Sequence, residues 1–522
     1  MAFALRRRPA PSIKKLLLAL AVVAVSLLFV LAIQTARFSS RQVEAPRAEP
    51  LAFNVDDAAE RLARAITFPT ISHQDSPEPE PFDSFAQFLL DSYPRVHAAL
   101  GRETVNRWSL IYTWPGADAQ LPPILLTAHL DVVPAESDAK WTHPPFAGRI
   151  ADGFIWGRGA MDDKVGVLAI LEAVEALLAA GHQPRRTIYL AFGHDEEVGG
   201  RHGAGALSAL LAQRRIHPAY VLDEGGAVLG GVFPGIGKPV AVVGIAEKGY
   251  LTLELAVEGE GGHSMRPPRE TTIGILASAI QRLQSHPFDA DIRGATKSLF
   301  DFLGPEMPLL QRLAFANLWL FEPLLERRLG SSATTDATIR TTLAPTVIQA
   351  GAKENVLPAR ASALVNLRLL PGDTIAAAIE HVRNAIADPR VAITAGNAFE
   401  ASPVSDPNAA SFSLLARTIR QIFSEALVAP YLVIGATDAR YYVDISPNVY
   451  RFLPLRANDE DLRRMHGRDE RISIENYGEA IRFYAQLIRN SDTDAPLRAG
   501  SEERSDEGFP LQRTRDSSLR SE

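Results

Sequence analysis

The sequence predicts an α/β fold carrying a second, inserted α+β module, and three observations lead there. Short β runs alternate with amphipathic helices through most of the chain, the pattern of strands covered by crossover helices. That pattern changes near Lys248 into alternating half-buried strands and resumes its first style after residue 400. Composition is that of an ordinary globular protein, 46% hydrophobic and 22% charged, which excludes wholesale disorder. The length of 522 residues allows about three domains' worth of chain, or one large α/β enzyme with additions.

Residues 1–15 form a basic leader containing Arg6, Arg7, Arg8, Lys14 and Lys15. Leu16 to Ile33 follows as an 18-residue run without a charge. As a helix it spans about 27 Å, enough for a bilayer's hydrocarbon core with little tilt. The preceding cations keep the N-terminus cytoplasmic by the positive-inside rule, so the rest of the chain is exported to a periplasmic, luminal or extracellular space. A cleaved signal peptide is the competing reading. The run exceeds the usual 7–15 residues of such a segment, and QTARFSS after it is a poor cleavage site, which favours an uncleaved signal anchor. Residues 34–50 read as a polar tether.

The first part of the larger domain covers 51–247. PILLTA (123–128) reads as a buried strand. KVGVLAILEAVEALLAAG (164–181) has helical apolar spacing and stops at Gly181. RTIYLAFG (186–193) and AYVLD (219–223) are further strands. The inserted module, 248–397, holds the strand GYLTLELAVEG (249–259), a helix over 271–284, a strand over 363–373, a helix to about Ala387 and the strand VAIT (391–394). Residues 398–490 complete the larger domain. The last segment, 491–522, has eight acids, five arginines and no apolar periodicity, and reads as a disordered tail.

Two composition facts bound the chemistry. There is no cysteine, so disulfides, thiolate metal sites and a cysteine nucleophile are all excluded, and any metal must be held by His, Asp and Glu. The net charge of −7 argues against a nucleic-acid partner, and it conceals an asymmetry. Residues 1–50 carry +6 and the remainder −13. Some of that negative charge gathers at strand ends: His129 and Asp131 after PILLTA, Glu196 and Glu197 after YLAFGHD, and Asp223 at the end of AYVLD. Asp162 and Asp163 precede a helix, whose N-terminal dipole favours anions. In an open sheet such groups converge at the carboxyl ends of parallel strands. A cluster of this kind repels itself unless cations neutralise it. Imidazole and carboxylate ligands suit zinc or a similar divalent ion that activates water. Two ions about 3.5–4 Å apart could share one carboxylate and hold a hydroxide between them, with a further Glu as general base.

The motifs H-L-D (129–131), G-R-G-A-M-D-D-K (157–164), D-E-E-V-G-G (195–200), D-E-G-G (223–226), G-G-H-S (261–264) and M-H-G (465–467) occur in this order. Together they resemble the aminoacylase/carboxypeptidase family of co-catalytic zinc metallopeptidases, nearest to its carboxypeptidase S and secreted N-acyl-amino-acid hydrolase branch, over about residues 51–490. The resemblance implies a zinc-exopeptidase-like mixed sheet flanked by helices and an inserted lid or dimerisation domain. It implies two Zn2+ ions, other divalent ions being possible, bridged by Asp162. His129 and Asp223 would complete one site, Glu197 and His466 the other. Glu196 matches the general base, and Asp131 would orient His129 through its second ring nitrogen. A cis peptide between Asp162 and Asp163 is implied as well.

On this resemblance Glu196 takes a proton from the metal-bridging water, the hydroxide attacks an amide carbonyl, and Glu196 returns the proton to the leaving amine. His263 resembles the group that stabilises the oxyanion, often across a subunit boundary, so a homodimer is a family expectation. Substrates would be N-acyl amino acids or short peptides with a free carboxylate, clamped by Asn355, Arg440 or Arg368, since a guanidinium grips a carboxylate bidentately. Blander readings stand beside these. Asp163 and Glu224 read as structural neighbours of ligands, His73, His143, His194 and His202 as non-ligands, and Arg368 equally as half of a surface ion pair. The apolar stretch 297–330 reads as helical packing, or more sharply as an acyl-chain wall or a surface resting on the bilayer. The alternative function is a catalytically silent, metal-stabilised binding protein, which would have no use for Glu196.

Overall fold

The computed structural model describes residues 13–73, 78–135 and 140–492. Arg6, Arg7 and Arg8 of the leader, and the expected tail from residue 493 onward, lie outside the described residues.

Ile13–Arg37 is one helix of 25 residues. It outruns the apolar segment at both ends, because neither Lys14–Lys15 nor Gln34–Arg37 contains a Gly or Pro to stop it. Its apolar window has a mean hydropathy of 3.2 and is only 6% buried, so it is long and apolar enough to cross a membrane. The following segment is less free than a tether. Gln42 accepts a hydrogen bond from the Val428 N–H at 2.8 Å and donates to the Val428 carbonyl at 3.0 Å. It thereby satisfies a backbone pair on Leu427–Val433, whose one strand partner among the described residues is Val240–Glu247.

A ten-stranded mixed sheet forms the centre. Its functional part is a parallel run of neighbours in the order Ile188–Gly193, Ile124–His129, Val221–Asp223 and Val449–Arg451. Ile124–His129 is buried at every position, as expected for a parallel strand covered on both faces. The helix Lys164–Ala179 packs between Val55–Ile66 and Ile474–Ser491 and is buried along nearly its whole length. Its one acidic core residue, Glu172, is matched by Arg61 at 2.5 and 2.8 Å and by the Tyr93 hydroxyl at 2.9 Å. A buried carboxylate needs such partners.

The chain leaves this sheet through Lys248 and builds a four-stranded antiparallel sheet in the order Thr342–Ala350, Arg360–Leu369, Gly249–Glu258, Val391–Phe399. Strict alternation puts Leu251, Leu253, Leu255 and Val257 opposite the buried residues Ala361, Ala363, Val365 and Leu367, beneath the helices Thr272–Ser285 and Ile375–Ile386. These residues form a hydrophobic cluster separate from the main core. Several strands escape the period-2 pattern, Ile124–His129 among them. Val240–Glu247 is buried at all eight positions, and Thr342–Ala350 is exposed along most of its length as an edge strand. Helices fill much of 294–336, where 297–330 reads as apolar packing.

Candidate metal centre

The parallel register gathers the chemistry. Because Ile188–Gly193, Ile124–His129 and Val221–Asp223 run the same way side by side, the residues following each emerge at one sheet edge. Asp131 ties two of these exits together. It accepts the backbone N–H groups of Glu196 and Glu197, both at 3.1 Å, and the Ser72 hydroxyl at 2.6 Å. Its Oδ1 also lies 3.3 Å from His129 Nδ1. The opposite ring nitrogen, Nε2, is thereby turned to Asp162 Oδ1 at 2.9 Å and toward Glu224 Oε1 at 4.0 Å.

Asp162 is shared. Its Oδ2 lies 2.8 Å from His466 Nε2, which in turn sits 3.2 Å from Glu197 Oε2. Among the described residues, two groups have mutually close ligand atoms: His129, Asp162 and Glu224, and Asp162, Glu197 and His466. The Asp162–Asp163 peptide is cis. Asp163 turns away to cap the helix Lys164–Ala179, accepting the Gly166 N–H at 3.1 Å. His194 faces Ser109 at 2.6 Å and His143 stacks edge-on to Trp156, both apart from these groups.

Asp223 was expected to complete the first group, and it is Glu224 whose ligand atom lies close to those of His129 and Asp162. Asp223 is the last residue of its strand and accepts the Thr437 hydroxyl at 3.1 Å. One step along an extended chain reverses side-chain direction, and the longer Glu224 reaches His129 from the first position beyond the strand. Thr437 is itself fixed through its N–H to Glu247 at 2.6 Å, and Glu247 pairs with buried Arg451 at 2.6 and 3.0 Å.

Two further residues hold the site together and belong to no expected motif role. Glu470, fully buried, accepts the N–H groups of Gly159 at 3.0 Å, Met161 at 2.8 Å and Asp162 at 3.2 Å. It also pairs with Arg158 at 2.6 Å, and Arg158 donates to the carbonyls of His466 and Gly467 at 3.1 and 3.0 Å. The pair thus links the Asp162 loop to the His466 loop. The Arg in G-R-G and an acid four residues beyond His466 were the visible signals.

Electrostatics match the crowding. Burial, reinforced by Asp438, Glu197 and Asp162, pushes the Glu196 carboxyl well above its ordinary range. Burial and Asp162 do the same to Glu224. Burial pulls His129 down, but hydrogen bonds to Asp131 and Asp162 outweigh it and hold the ring toward its protonated form. His466 rises to about 10 through its contacts with Asp162 and Glu197. Glu197 Oε1 is buried without a hydrogen-bond partner. Protons here do what cations would do, and an orphaned oxygen on a carboxylate that also faces the His466 ring fits a divalent ion.

The remaining candidates lie on the four-stranded module or near it. His263 is exposed on the short strand Gly262–His263, paired with Val356–Leu357, and Ser264 N–H donates to the Asn355 carbonyl at 3.1 Å. His263 and Asn355 therefore share one small ribbon. Arg368 lies over the Tyr250 ring at 4.8 Å, and Arg440, on the short helix Asp438–Tyr442, lies over the Phe399 ring at 4.6 Å, the two rings being on adjoining strands of the module. None of the four joins either ligand group.

A mixed α/β sheet with paired His–carboxylate groups at the carboxyl ends of its parallel strands defines a metal-dependent hydrolase. The sequence matches peptidase family M20/M25/M40 over residues 125–490, more than half of the chain, and the protein belongs to that family. It is 45% identical over 484 residues to probable carboxypeptidase S-like 2 of Dictyostelium discoideum, covering 90% of this chain and 92% of the relative. It is 40% identical over 442 residues to the N-fatty-acyl-amino acid synthase/hydrolase PM20D1 of Mus musculus, covering 83% and 88%. Among solved structures, the M20 family metallo-carboxypeptidase Sso-CP2 from Sulfolobus solfataricus shares the fold, with a TM-score of 0.63 at 19% identity over 84% of this chain and 99% of that one.

Proposed function

We propose that this protein is a membrane-anchored, two-metal amidohydrolase that cleaves N-acyl amino acids or short peptides bearing a free carboxylate. The observation that carries the reading is the division of Asp162, one oxygen toward His129 and the other toward His466, which makes two ligand groups out of one cluster. His129, Asp162 and Glu224 would hold one ion, and Asp162, Glu197 and His466 the other, with zinc suited to both donor sets. Bound there, a divalent pair supplies Lewis acidity toward a carbonyl and acidifies water.

The chain's own residues do the rest. Glu196 belongs to neither ligand group, and its raised proton affinity suits a group that accepts a proton from attacking water and delivers it to the departing amine. Asp131 fixes the His129 ring so that Nε2 faces Asp162. On this proposal His263 and Asn355 are the groups assigned to the reacting amide, and Arg440, with Arg368, receives the substrate carboxylate. The relatives named as carboxypeptidases and as N-fatty-acyl-amino acid hydrolases favour an amide beside a carboxylate over other bonds. We read Ile13–Arg37 as the membrane anchor, with Lys14 and Lys15 on the cytoplasmic side and the hydrolase exported.

The test is to assay the full chain in detergent, with zinc, on acyl-amino acids of graded chain length alongside dipeptides. Turnover of at least one series that disappears on chelation supports the reading. Hydrolysis of neither series, or of carboxylate-free amides equally well, contradicts it.

A further inference from the structure

Exposed apolar side chains of the described residues are scattered over the four-stranded module, Met265, Ile273 and Ile348 among them, but succeed one another along a helix face in two other places. One is the N-terminal helix, with Leu17, Leu18, Val25, Leu28 and Phe29 all exposed. The other is the helix Leu318–Leu329, with Trp319 58% and Leu324 64% exposed and Leu320 beside them. The two are joined. Asn317, wholly buried, donates to the Leu31 carbonyl at 3.4 Å and to the Thr35 hydroxyl at 3.3 Å. Trp319 Nε1 donates to Gln34 at 3.0 Å, and Arg312 donates to the Phe38 carbonyl at 2.8 Å. The chain from 312 to 319 is therefore fastened to the last two turns of the N-terminal helix, with Asn317 reaching back to Leu31, inside the apolar run.

The exposed face of Leu318–Leu329 has an order along it. Trp319, Leu320, Pro323 and Leu324 succeed one another at helical spacing, and Arg327 and Arg328 continue the same exposed stripe. Apolar residues thus sit at the end next to the N-terminal helix, with two cations farther along. That is the arrangement of a helix lying in a membrane interface, with Trp at the headgroup boundary and guanidinium groups at lipid phosphates.

We infer that Leu318–Leu329 is a second membrane contact: an interfacial helix that inserts Trp319, Leu320 and Leu324 into the bilayer surface beside the anchor. The occupant is the lipid leaflet on the side of the hydrolase. What selects it is continuity, because the apolar stripe adjoins a helix whose own exposed surface already calls for lipid. The contact seats the enzyme body against the membrane instead of leaving it swinging on a flexible stalk. A face held there receives acyl substrates that partition into lipid. This inference rests on reading Ile13–Arg37 as a membrane anchor.

The absence of native cysteine allows single labelling sites. Full-length Leu324→Cys, Leu28→Cys and Gln87→Cys are each spin-labelled and reconstituted in vesicles of phosphatidylcholine with phosphatidylglycerol. Collision with oxygen is then compared with collision with a water-soluble nickel complex. Position 28 reports the anchor, and exposed Gln87, on the helix Pro79–Ser92, reports water. The inference expects position 324 to lose several-fold in nickel accessibility relative to 87 while gaining oxygen accessibility, as 28 does. Arg327→Glu with Arg328→Glu should reverse part of that loss. Water-like behaviour at 324 with a lipid-buried 28 overturns the inference and leaves the anchor intact. Water-like behaviour at 28 overturns both. Protection at 324 from both reagents, with broadening between labels, means a second copy covers the face, and also overturns it.

Discussion

The rim of the parallel sheet and the four-stranded module differ in how their polar groups are held. At the rim nearly every charged side chain is fixed from several directions. Asp131 takes Ser72 and two backbone N–H groups, and Glu470 takes three N–H groups and Arg158. On the module's solvent side the charges are exposed and paired loosely, as Arg360 is with Glu254 and Glu258. The rim fixes geometry, as a metal centre requires. The module presents His263, Asn355 and Arg368 on a surface with its own hydrophobic core, joined to the main body at Lys248 and again after Phe399.

The largest effect should come from Glu196, the rim acid assigned the proton transfer and outside both ligand groups. Glu196→Gln should lower kcat by about 10²–10⁴-fold, the usual contribution of a general acid–base group, while metal content measured on the same sample stays unchanged. Intact turnover in this variant would place the proton-transfer role elsewhere. Next, Arg158→Met removes one partner of a pair buried on both sides. Breaking such a pair costs about 3–5 kcal/mol, so denaturant melts should show a loss of that order together with weaker metal retention. An unchanged midpoint would mean the rim is less interlocked than its hydrogen bonds imply.

A finer comparison lies between adjacent residues. Glu224→Ala should lose one of two metal equivalents by elemental analysis. Asp223→Asn should keep both and disturb only the Thr437 contact. The opposite pattern would restore Asp223 to the ligand set.

The junction between the regions gives a pH test. Lys248 is buried, donates to the carbonyls of Ala337 and Arg340 at 2.9 and 2.8 Å, and is pulled down to about 7 by burial. Above that value the folded state holds it neutral, while the unfolded chain keeps it charged to its ordinary value near 10.5. The unfolded state then binds more protons, so this group makes stability rise with pH between about 7 and 10. Lys248→Met should flatten that rise in melts across the window, and an identical slope would assign it to other groups. Smallest of all, Arg360→Ala on the module's exposed face should leave the Tm within experimental error, since such pairs contribute little.

The sequence made the rim legible because metal chemistry restricts residue type and order. His129, Asp162, Glu197 and His466 could be read as ligand candidates from short motifs, and the structure brings all four into the two groups. The resemblance chose Asp223 over its neighbour Glu224, but both are acids in one motif, and the point at which the strand ends bears on which of them reaches His129. Glu470 showed in the sequence only as an acid beyond His466, because three of its partners are backbone N–H groups, which leave no mark in sequence. Periodicity found Gly249–Glu258 and Lys164–Ala179 within a residue or two. It missed Val240–Glu247, which is buried on both faces and has no alternation to detect. The apolar stretch 297–330 showed its composition but not its place against the N-terminal helix, because that contact joins segments nearly three hundred residues apart.

One shared aspartate, we propose, makes two metal sites out of five side chains at a sheet edge. The most direct measurement is the metal content of the full-length protein after dialysis against zinc and then buffer, taken together with turnover before and after chelation. Two equivalents per chain, with turnover lost on chelation and regained with zinc, is the predicted result. One equivalent or none in a fully active sample, or turnover indifferent to chelation, would contradict it.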